Sequence, residues 1–326
     1  MTTLANLYHA QKLHNSTKVI AYRRVAGKIG LTANENGIRG AWVEKRIALI
    51  KHFLNLNYQI VLLSETTETT KQQGYKTFSK YQPCDLLIIE FGGNNLRFYE
   101  KDWLKTLQII KTHTGQILFL IDDPDLPFLW HLLPDEDWSR WTIAANAVNT
   151  NALRQVLTIP AEAKVVDYPM MPEAENLTFH AKENSHLIYI GRPNGRKKYF
   201  NDYTQSDYLR IAGQVKDWSD YSTLQLLPYP QQKHRKQFYQ QFSGCLAISD
   251  NKHIQTGWRT GRAYHALNAG IPVCAPVGNE GLSWCSPVTQ LSDLSFYAQL
   301  SSKQLETIWL KQKEIATLKL LNPFAL

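Results

Sequence analysis

The chain is poor in cysteine and has no long apolar run, and both absences narrow the classes of protein to consider. Its 326 residues include four cysteines, and no two of them form a Cys-x-x-Cys pair. The sequence therefore supports neither a disulfide framework nor a zinc site. Cys84, Cys245 and Cys274 lie in strand-like runs, where we expect buried free thiols. No run approaches the roughly 18 apolar residues that span a bilayer.

The first residues contain no apolar segment of signal-peptide length. We therefore expect a soluble protein of the cytoplasm, or of the host cytoplasm if the chain is viral, with no membrane partner. Glycine and proline are also scarce, at 17 and 14 residues, while 44% of the chain is hydrophobic. This composition excludes a disordered, collagen-like or low-complexity chain. At roughly 150 residues per domain, the length predicts about two domains.

Positive charge is concentrated in two segments of the chain. Residues 1–60 contain nine Lys and Arg against two acidic residues, and residues 192–236 contain nine against four. Residues 61–191 carry net negative charge. Two basic segments favour a polyanionic partner such as nucleic acid. A solvated basic surface explains the same counts, because a sequence does not show which face the charges occupy.

Apolar runs of strand length alternate with helical patterns along the whole chain. The strands predicted before residue 170 are 18–25, 58–63, 84–91, 116–121, 142–148 and 164–168, with helices at 41–56 and 100–112. The strands predicted after it are 186–190, 224–227, 245–249 and 272–275, with helices at 231–242, 257–269 and 301–320. Continuous apolar strands that alternate with helices are typical of parallel sheets covered on both faces.

The predicted fold class is therefore α/β, with two facing Rossmann-like domains and a C-terminal helix. We expect an N-terminal domain at 1–170, a C-terminal domain at 171–300, and a helix at 301–326 that packs back on the N-terminal domain. Domains of this kind bind ligands outside the carboxyl ends of their strands.

The first candidate for chemistry is the cluster Asp122-Asp123-Pro124-Asp125, which directly follows a predicted buried strand. A carboxylate in this place suits a general base. The cluster could also bind Mg²⁺. The alternative is structural, with Asp122 capping a turn and Asp125 in solvent.

Two further candidates lie in the second half of the chain. The segment GRPNGRKK at 191–198 follows a predicted strand and precedes a helix, so its glycines and cations suit a phosphate, although it matches no standard nucleotide fingerprint. In the segment 254–273, Arg262 and His265 share one face of a helix that ends at Gly270. The alternatives are an exposed basic turn for the first segment, and surface arginines with a core histidine for the second.

Taken together and in this order, these segments resemble the glycosyltransferases of the GT-B fold, in particular the DNA β-glucosyltransferases of T-even phages. The resemblance is greatest at 119–128, 187–196 and 247–275, and the segments 44–54 and 57–61 are in register. Each motif is weak alone, and their common order carries the resemblance. It implies transfer of glucose from UDP-glucose to the hydroxymethyl group of 5-hydroxymethylcytosine in duplex phage DNA, with inversion.

The resemblance also implies roles for individual residues. Asp123 falls on the catalytic carboxylate, and Glu44 falls on the acidic residue that places acceptor and sugar, with Glu35 as its fallback. The implied donor-binding residues are Gly191, Arg192, Arg196, Leu227, Arg262 and His265. The DNA-binding residues that we expect in the basic N-terminal segment are Arg23, Arg24, Lys28 and Arg39.

One position departs from the family, because His265 stands where the family has a glutamate that grips the ribose hydroxyls. An imidazole can bond a hydroxyl but does not offer two acceptor oxygens. The sequence therefore leaves open a UDP-pentose donor, an acceptor such as 5-hydroxymethyluracil DNA or a glycan, and a nucleic-acid-binding protein without activity. A metal is not required if arginines carry the charge of the diphosphate, although Mg²⁺ stays open. We expect a monomer.

Overall fold

The computed structural model describes residues 18–25, 58–63, 83–91, 100–121, 130–168, 177–221, 224–230 and 234–317. The chain divides into two compact units, the first formed by Met1–Asn146 and Thr150–Tyr168 and the second by Ala147–Asn149 and Pro169–Leu326. Each unit is built on one six-stranded sheet.

The first unit has a parallel sheet in the order β2-β1-β3-β4-β5-β6. Its strands are β1 (Lys18–Val25), β2 (Tyr58–Leu63), β3 (Leu86–Phe91), β4 (Gln116–Ile121), β5 (Trp141–Ala145) and β6 (Lys164–Asp167). Its described helices are α1 (Glu100–Thr112) and α2 (Thr150–Val156). Along β4, five of six side chains are buried, as expected for a central strand covered on both faces.

The second unit has a parallel sheet in the order β12-β11-β10-β7-β8-β9. Its strands are β7 (Leu187–Ile190), β8 (Leu209–Ala212), β9 (Leu226–Leu227), β10 (Gly244–Leu246), β11 (Val273–Pro276) and β12 (Ser286–Val288). Its described helices are α3 (Lys197–Tyr203), α4 (Arg235–Gln240), α5 (Asn251–Thr256), α6 (Gly261–Ala269), α7 (Leu291–Gln299) and α8 (Ser302–Thr317). Read from β9, the order is that of a Rossmann sheet, with its reversal between β7 and β10.

Several element boundaries differ from the sequence prediction for local reasons. The single helix predicted at 257–269 is wrong at its start, because α5 ends at Thr256 and α6 begins only at Gly261. Gly257, in a left-handed conformation at φ +61°, ends α5. The predicted end of α6 is confirmed, since Gly270 at φ +89° caps it. A Cβ on Gly270 would lie 2.3 Å from the carbonyl oxygen of Thr178, so only glycine fits.

Helix α8 packs within the second unit. The Trp309 indole donates to the Leu267 carbonyl oxygen at 2.9 Å. The Gln312 side chain exchanges two hydrogen bonds with the backbone of Val273, at 2.8 and 2.7 Å. These contacts bind α8 to α6 and β11, and the expected packing of this helix on the N-terminal domain stays a prediction.

The predicted fold class is confirmed in its main features, which are two α/β units with parallel sheets and a C-terminal helix. Cys245, Cys274 and Cys285 are buried free thiols, and Cys84 is a half-buried one. Within the described ranges, no helix is both long and apolar enough to cross a membrane.

Candidate functional site

The candidate site of the second unit lies where its strand order reverses. Gly191 directly follows β7, and the segment 247–250 directly follows the neighbouring strand β10. Open α/β sheets bind ligands at this place, outside the carboxyl ends of the strands, because the two loops diverge there and leave a crevice. The sequence candidates at 191–198 and around Arg262 meet at this crevice.

Gly191 lies in a tight backbone turn that has no room for a side chain. Its φ is +146°, and a Cβ there would lie 3.0 Å from Nη2 of Arg262 and 3.2 Å from the Tyr189 hydroxyl. Its N–H donates to the Ala212 carbonyl at 3.0 Å, and its own carbonyl accepts from the Trp218 indole at 2.9 Å. The turn is therefore held rigidly, with bare backbone facing the Arg262 guanidinium.

Arg262, in the first turn of α6, supplies the cation of this site. Its guanidinium carbon lies 4.8 Å from the ring centroid of Tyr189. Its Nη1 is buried, and no hydrogen-bond acceptor for it exists among the described residues. An unsatisfied buried donor costs about 1–3 kcal/mol, which an anionic ligand would relieve. The alternative that Arg262 is a surface arginine does not hold for its Nη1, which is buried.

The hydroxyl of Thr260, at the N-cap of α6, is a second buried polar group of this site without a described hydrogen-bond partner. It is buried, it caps no backbone N–H, and the described part of the chain offers it no partner. The helix N-terminus adds the partial positive charge of its free N–H groups. Thr260 was missed from the sequence, although a threonine that precedes a glycine-initiated helix is a recognisable signal.

Arg196 has a different environment from Arg262. It is 8% exposed, and its Nε donates to the Ile248 carbonyl at 2.9 Å. Its Nη1 donates to the Asn194 carbonyl at 3.0 Å, and its Nη2 pairs with Asp250 at 3.1 Å. Asp250 also caps α5 through the His253 N–H at 2.9 Å. Arg196 thus ties the loop after β7 to the loop after β10, and a phosphate contact from it stays a prediction.

Arg192 and Leu227 lie at the rim of the same edge. The Arg192 side chain is 59% exposed, and its Nε lies 3.2 Å from Asp217. Leu227 ends β9 as a half-buried residue, and its carbonyl accepts from the Gly213 N–H at 3.3 Å. Their predicted contacts with the diphosphate and the uracil remain predictions.

His265 is half-buried one helical turn beyond Arg262, on the same face of α6. Its Nε2 lies 3.3 Å from Nη1 of Arg235, the first residue of α4. Because a guanidinium only donates, the imidazole accepts through an unprotonated Nε2. The sequence prediction missed Arg235, whose only signal was its place in the second basic segment.

No protein-family model and no curated protein sequence matches the chain. A structure of the DNA-modifying enzyme β-glucosyltransferase, determined with and without uridine diphosphoglucose, matches with a TM-score of 0.63 at 11% identity, over 92% of this chain and 94% of that one. T4 phage β-glucosyltransferase with UDP-glucose matches with a TM-score of 0.62 at 12% identity, over 92% and 96%. The same enzyme with UDP and Mn²⁺ matches with a TM-score of 0.61 at 12% identity, over 93% and 95%.

The fold is GT-B. The predicted resemblance to the DNA β-glucosyltransferases of T-even phages is confirmed by these matches, which cover nearly the whole of both chains. At such low identity the likeness establishes the fold and leaves the activity to be proposed. In the second unit, the crevice at Gly191 and Arg262 lies at the strand-order reversal, where open α/β sheets bind ligands.

Most of the predicted catalytic and acceptor-binding residues lie outside the described residues: Asp123, Glu44, Glu35, Lys28 and Arg39. Asp123 follows Ile121, the last residue of β4, by two positions. Arg23 and Arg24 are described as backbone only, near the carboxyl end of β1, where Arg24 is in register with Glu90 of β3. The described residues contain no group of three His, Cys, Asp or Glu that could hold a metal ion.

Proposed function

We propose that this protein is an inverting glycosyltransferase that transfers a sugar from a UDP-sugar to a hydroxymethylated pyrimidine in duplex DNA. UDP-glucose and 5-hydroxymethylcytosine are the first donor and acceptor to test, because solved structures of the same fold are named for β-glucosyltransferase and UDP-glucose. The observation that carries the proposal is the buried Nη1 of Arg262, which has no acceptor among the described residues and lies beside the bare backbone of Gly191.

On this proposal, the second unit binds the donor. The Gly191 turn lets the diphosphate approach the backbone, and Arg262 and the N-terminus of α6 stabilise the negative charge that develops on departing UDP. Arg192 and Arg196 border this loop as further phosphate contacts, the Leu227 backbone meets the uracil, and His265 lies toward the ribose. A preorganised guanidinium is effective here because it needs no rearrangement when the bond breaks.

The first unit would bind the acceptor. Arg23, Arg24, Lys28 and Arg39 would contact DNA phosphates. The target base must leave the stack for its hydroxymethyl oxygen to reach the sugar. Glu44 would help to place the acceptor and the sugar.

The transfer itself needs one general base. The Asp123 carboxylate takes the hydroxyl proton while the oxygen bonds to the anomeric carbon from the face opposite UDP. The bond from that carbon to the diphosphate oxygen breaks, and UDP leaves with the electron pair. Inversion at the anomeric carbon follows from this single displacement.

A divalent cation is compatible with this chemistry, since one structure of T4 phage β-glucosyltransferase contains UDP and Mn²⁺. In this chain the diphosphate oxygens and the carboxylates of Asp122, Asp123 and Asp125 are the ligands of suitable type. Bound there, the cation would offset charge on the diphosphate, a function that Arg262 also provides.

The direct test is transfer to defined DNA. The protein is incubated with UDP-glucose or a UDP-pentose and with duplexes that carry 5-hydroxymethylcytosine, 5-hydroxymethyluracil or neither, and the digested nucleosides are weighed. A hexose or pentose gain on one hydroxymethylated base supports the proposal and identifies donor and acceptor. DNA binding without response to any UDP-sugar would instead indicate a non-enzymatic binder, and transfer only to a glycan would overturn the DNA acceptor.

The Asp123→Asn variant tests the assigned base. Because the amide cannot accept the proton, we expect transfer to fall by about 100- to 10,000-fold. The dissociation constant for UDP-glucose should change by less than about twofold, since Asp123 is assigned to the acceptor side. Titration calorimetry and a single-turnover assay measure the two quantities, and lost binding with unchanged turnover would contradict the assignment.

A further inference from the structure

Arg235 is a second arginine beside the donor crevice, and it has no carboxylate partner among the described residues. It begins α4, and its Nη1 contacts His265 of α6 at 3.3 Å. Its Nε is buried, and no acceptor for that atom exists within the described ranges. Within those ranges this half-buried guanidinium bonds an imidazole and no carboxylate, so no described acidic group offsets its charge.

Arg235 and Arg262 act on the same buried side chain, Tyr239 of α4. The Tyr239 hydroxyl donates to the Arg262 carbonyl oxygen at 3.4 Å, and Tyr239 is 1% exposed. Burial raises the pKa of Tyr239 well above its ordinary value, and the charges of Arg262 and Arg235 both oppose that rise. Arg235, at the start of α4, and Arg262, in the first turn of α6, therefore both lie on helices that meet at Tyr239.

The arginines of the loop after β7 are neutralised, in contrast to these two. Arg192 pairs with Asp217, and Arg196 pairs with Asp250. Of these four arginines, Arg235 and Arg262 are the two that have no acidic partner among the described residues. A diphosphate carries one negative charge on each phosphate, so these two guanidinium groups match it one to one.

We propose that Arg235 is a diphosphate-binding residue of the donor site, with His265 as the residue that positions it. The His265 Nε2 accepts one Nη1 hydrogen and so fixes the guanidinium plane, which leaves the remaining N–H groups for phosphate oxygens. This assignment rests on the proposed nucleotide-sugar donor. It gives His265 a role on the phosphate side, where a glutamate would have paired with Arg235 and removed its charge.

The test separates phosphate from nucleoside recognition. Calorimetry measures binding of UDP, uridine and inorganic pyrophosphate to the wild-type protein and to Arg235→Gln. We expect at least about a tenfold loss of affinity for UDP and pyrophosphate, because a charge-assisted hydrogen bond is lost. Uridine affinity should change by less than about twofold, a selectivity that general loosening of the fold would not produce.

A matched control exists in the same unit, where Arg210 Nη2 contacts His186 Nε2 at 2.8 Å near the opposite ends of the strands. Arg210→Gln should leave the affinities for all three ligands unchanged. Arg235→Lys keeps the charge without the planar geometry, so it should recover part of the pyrophosphate affinity. Arg235→Lys also replaces Arg235→Gln as the test variant if the glutamine variant folds poorly.

The outcomes distinguish a failure of the Arg235 assignment from a failure of the proposed function. Wild-type affinity for UDP and pyrophosphate in Arg235→Gln and Arg235→Lys would overturn the assignment and leave the proposed function standing. Wild-type protein that binds pyrophosphate but neither UDP nor uridine would overturn the uridine donor, and the assignment would then be judged on pyrophosphate alone. Wild-type protein that binds none of the three would overturn both.

Discussion

At the scale of single residues, Gly191 combines a backbone conformation that favours glycine with close contact to Arg262, the proposed phosphate-binding cation. Substitution Gly191→Ala places a Cβ 3.0 Å from Arg262 Nη2 in a backbone conformation, φ +146°, that L-residues rarely adopt. We expect the free energy of unfolding to fall by about 1–3 kcal/mol. We also expect UDP affinity to fall by about tenfold or more, because the methyl group displaces the guanidinium. Urea denaturation and calorimetry measure these changes.

Gly278 provides the control for this prediction. Its φ is +107°, yet a Cβ there would meet nothing within 4 Å. Gly278→Ala therefore carries a backbone cost without the clash, and its UDP affinity should stay at the wild-type value. Equal loss of UDP affinity in both variants would show that strain alone, and no specific contact with Arg262, explains the effect.

At the scale of elements, the C-terminal end of α1 packs through a buried histidine. His113 is 3% exposed, its N–H donates to the Ile109 carbonyl at 2.9 Å, and its Nε2 bonds the Gln116 carbonyl at 2.9 Å. Arg140 caps the same helix end by donating to the Ile110 carbonyl at 3.2 Å. These bonds join α1 to the start of β4 and the segment before β5.

Because His113 is buried at this junction, we expect the free energy of unfolding to depend on pH. Burial lowers the pKa of His113 below its ordinary value of 6.5. The hydrogen bond to the Gln116 carbonyl opposes this shift but does not cancel it. The unfolded chain then binds the proton more readily, so the stabilisation is complete above 6.5 and is lost as the pH falls through the lower folded pKa. Urea denaturation between pH 7 and pH 5 should show this decline, and His113→Gln should make it shallower.

His186 of the second unit has its pKa lowered in the same direction, by burial and then by Arg210. His186→Gln should therefore remove a separate part of the slope, and the double variant should be flatter than either single one. A slope that is identical in wild type and in both variants would contradict the assignment to these histidines.

The strands show how far elements follow from sequence. The predicted bounds of β1, β2 and β4 are confirmed residue for residue. β2 and β4 are apolar runs, the pattern of buried parallel strands, whereas β1 also contains Lys18, Arg23 and Arg24. β8 and β12 were missed, because LRIA and SPV are only four and three residues long. Such short strands form because a neighbouring strand supplies hydrogen-bond partners. The residues of the short strand do not by themselves indicate that this neighbour is present.

At the scale of the whole molecule, the net charge of +8 and its concentration in the first 60 residues predict the response of DNA binding to salt. If Arg23, Arg24, Lys28 and Arg39 each contact one phosphate, DNA affinity should fall roughly a hundredfold between 50 and 200 mM salt. Fluorescence anisotropy with a labelled duplex measures this slope.

Replacing those four residues by glutamine should reduce the salt dependence to a shallow remainder. UDP affinity, measured in the same buffers, should vary less, because a mononucleotide lacks the condensed counterions that DNA releases on binding. A wild-type slope as shallow as that of the fourfold variant would exclude these residues as the DNA contacts.

The amino-acid sequence alone was sufficient for the α/β class, the parallel strands, the glycine turn at Gly191 and the helix that carries Arg262. Each of these depends on local patterns such as apolar runs, glycine positions and helical spacing. The roles of the arginines required the folded chain. Arg196 and Arg235 are equally basic in sequence, but Arg196 meets Asp250, 54 positions away, while Arg235 meets His265 within the described ranges. Charge compensation depends on which side chains long-range packing brings together, and no local pattern encodes that.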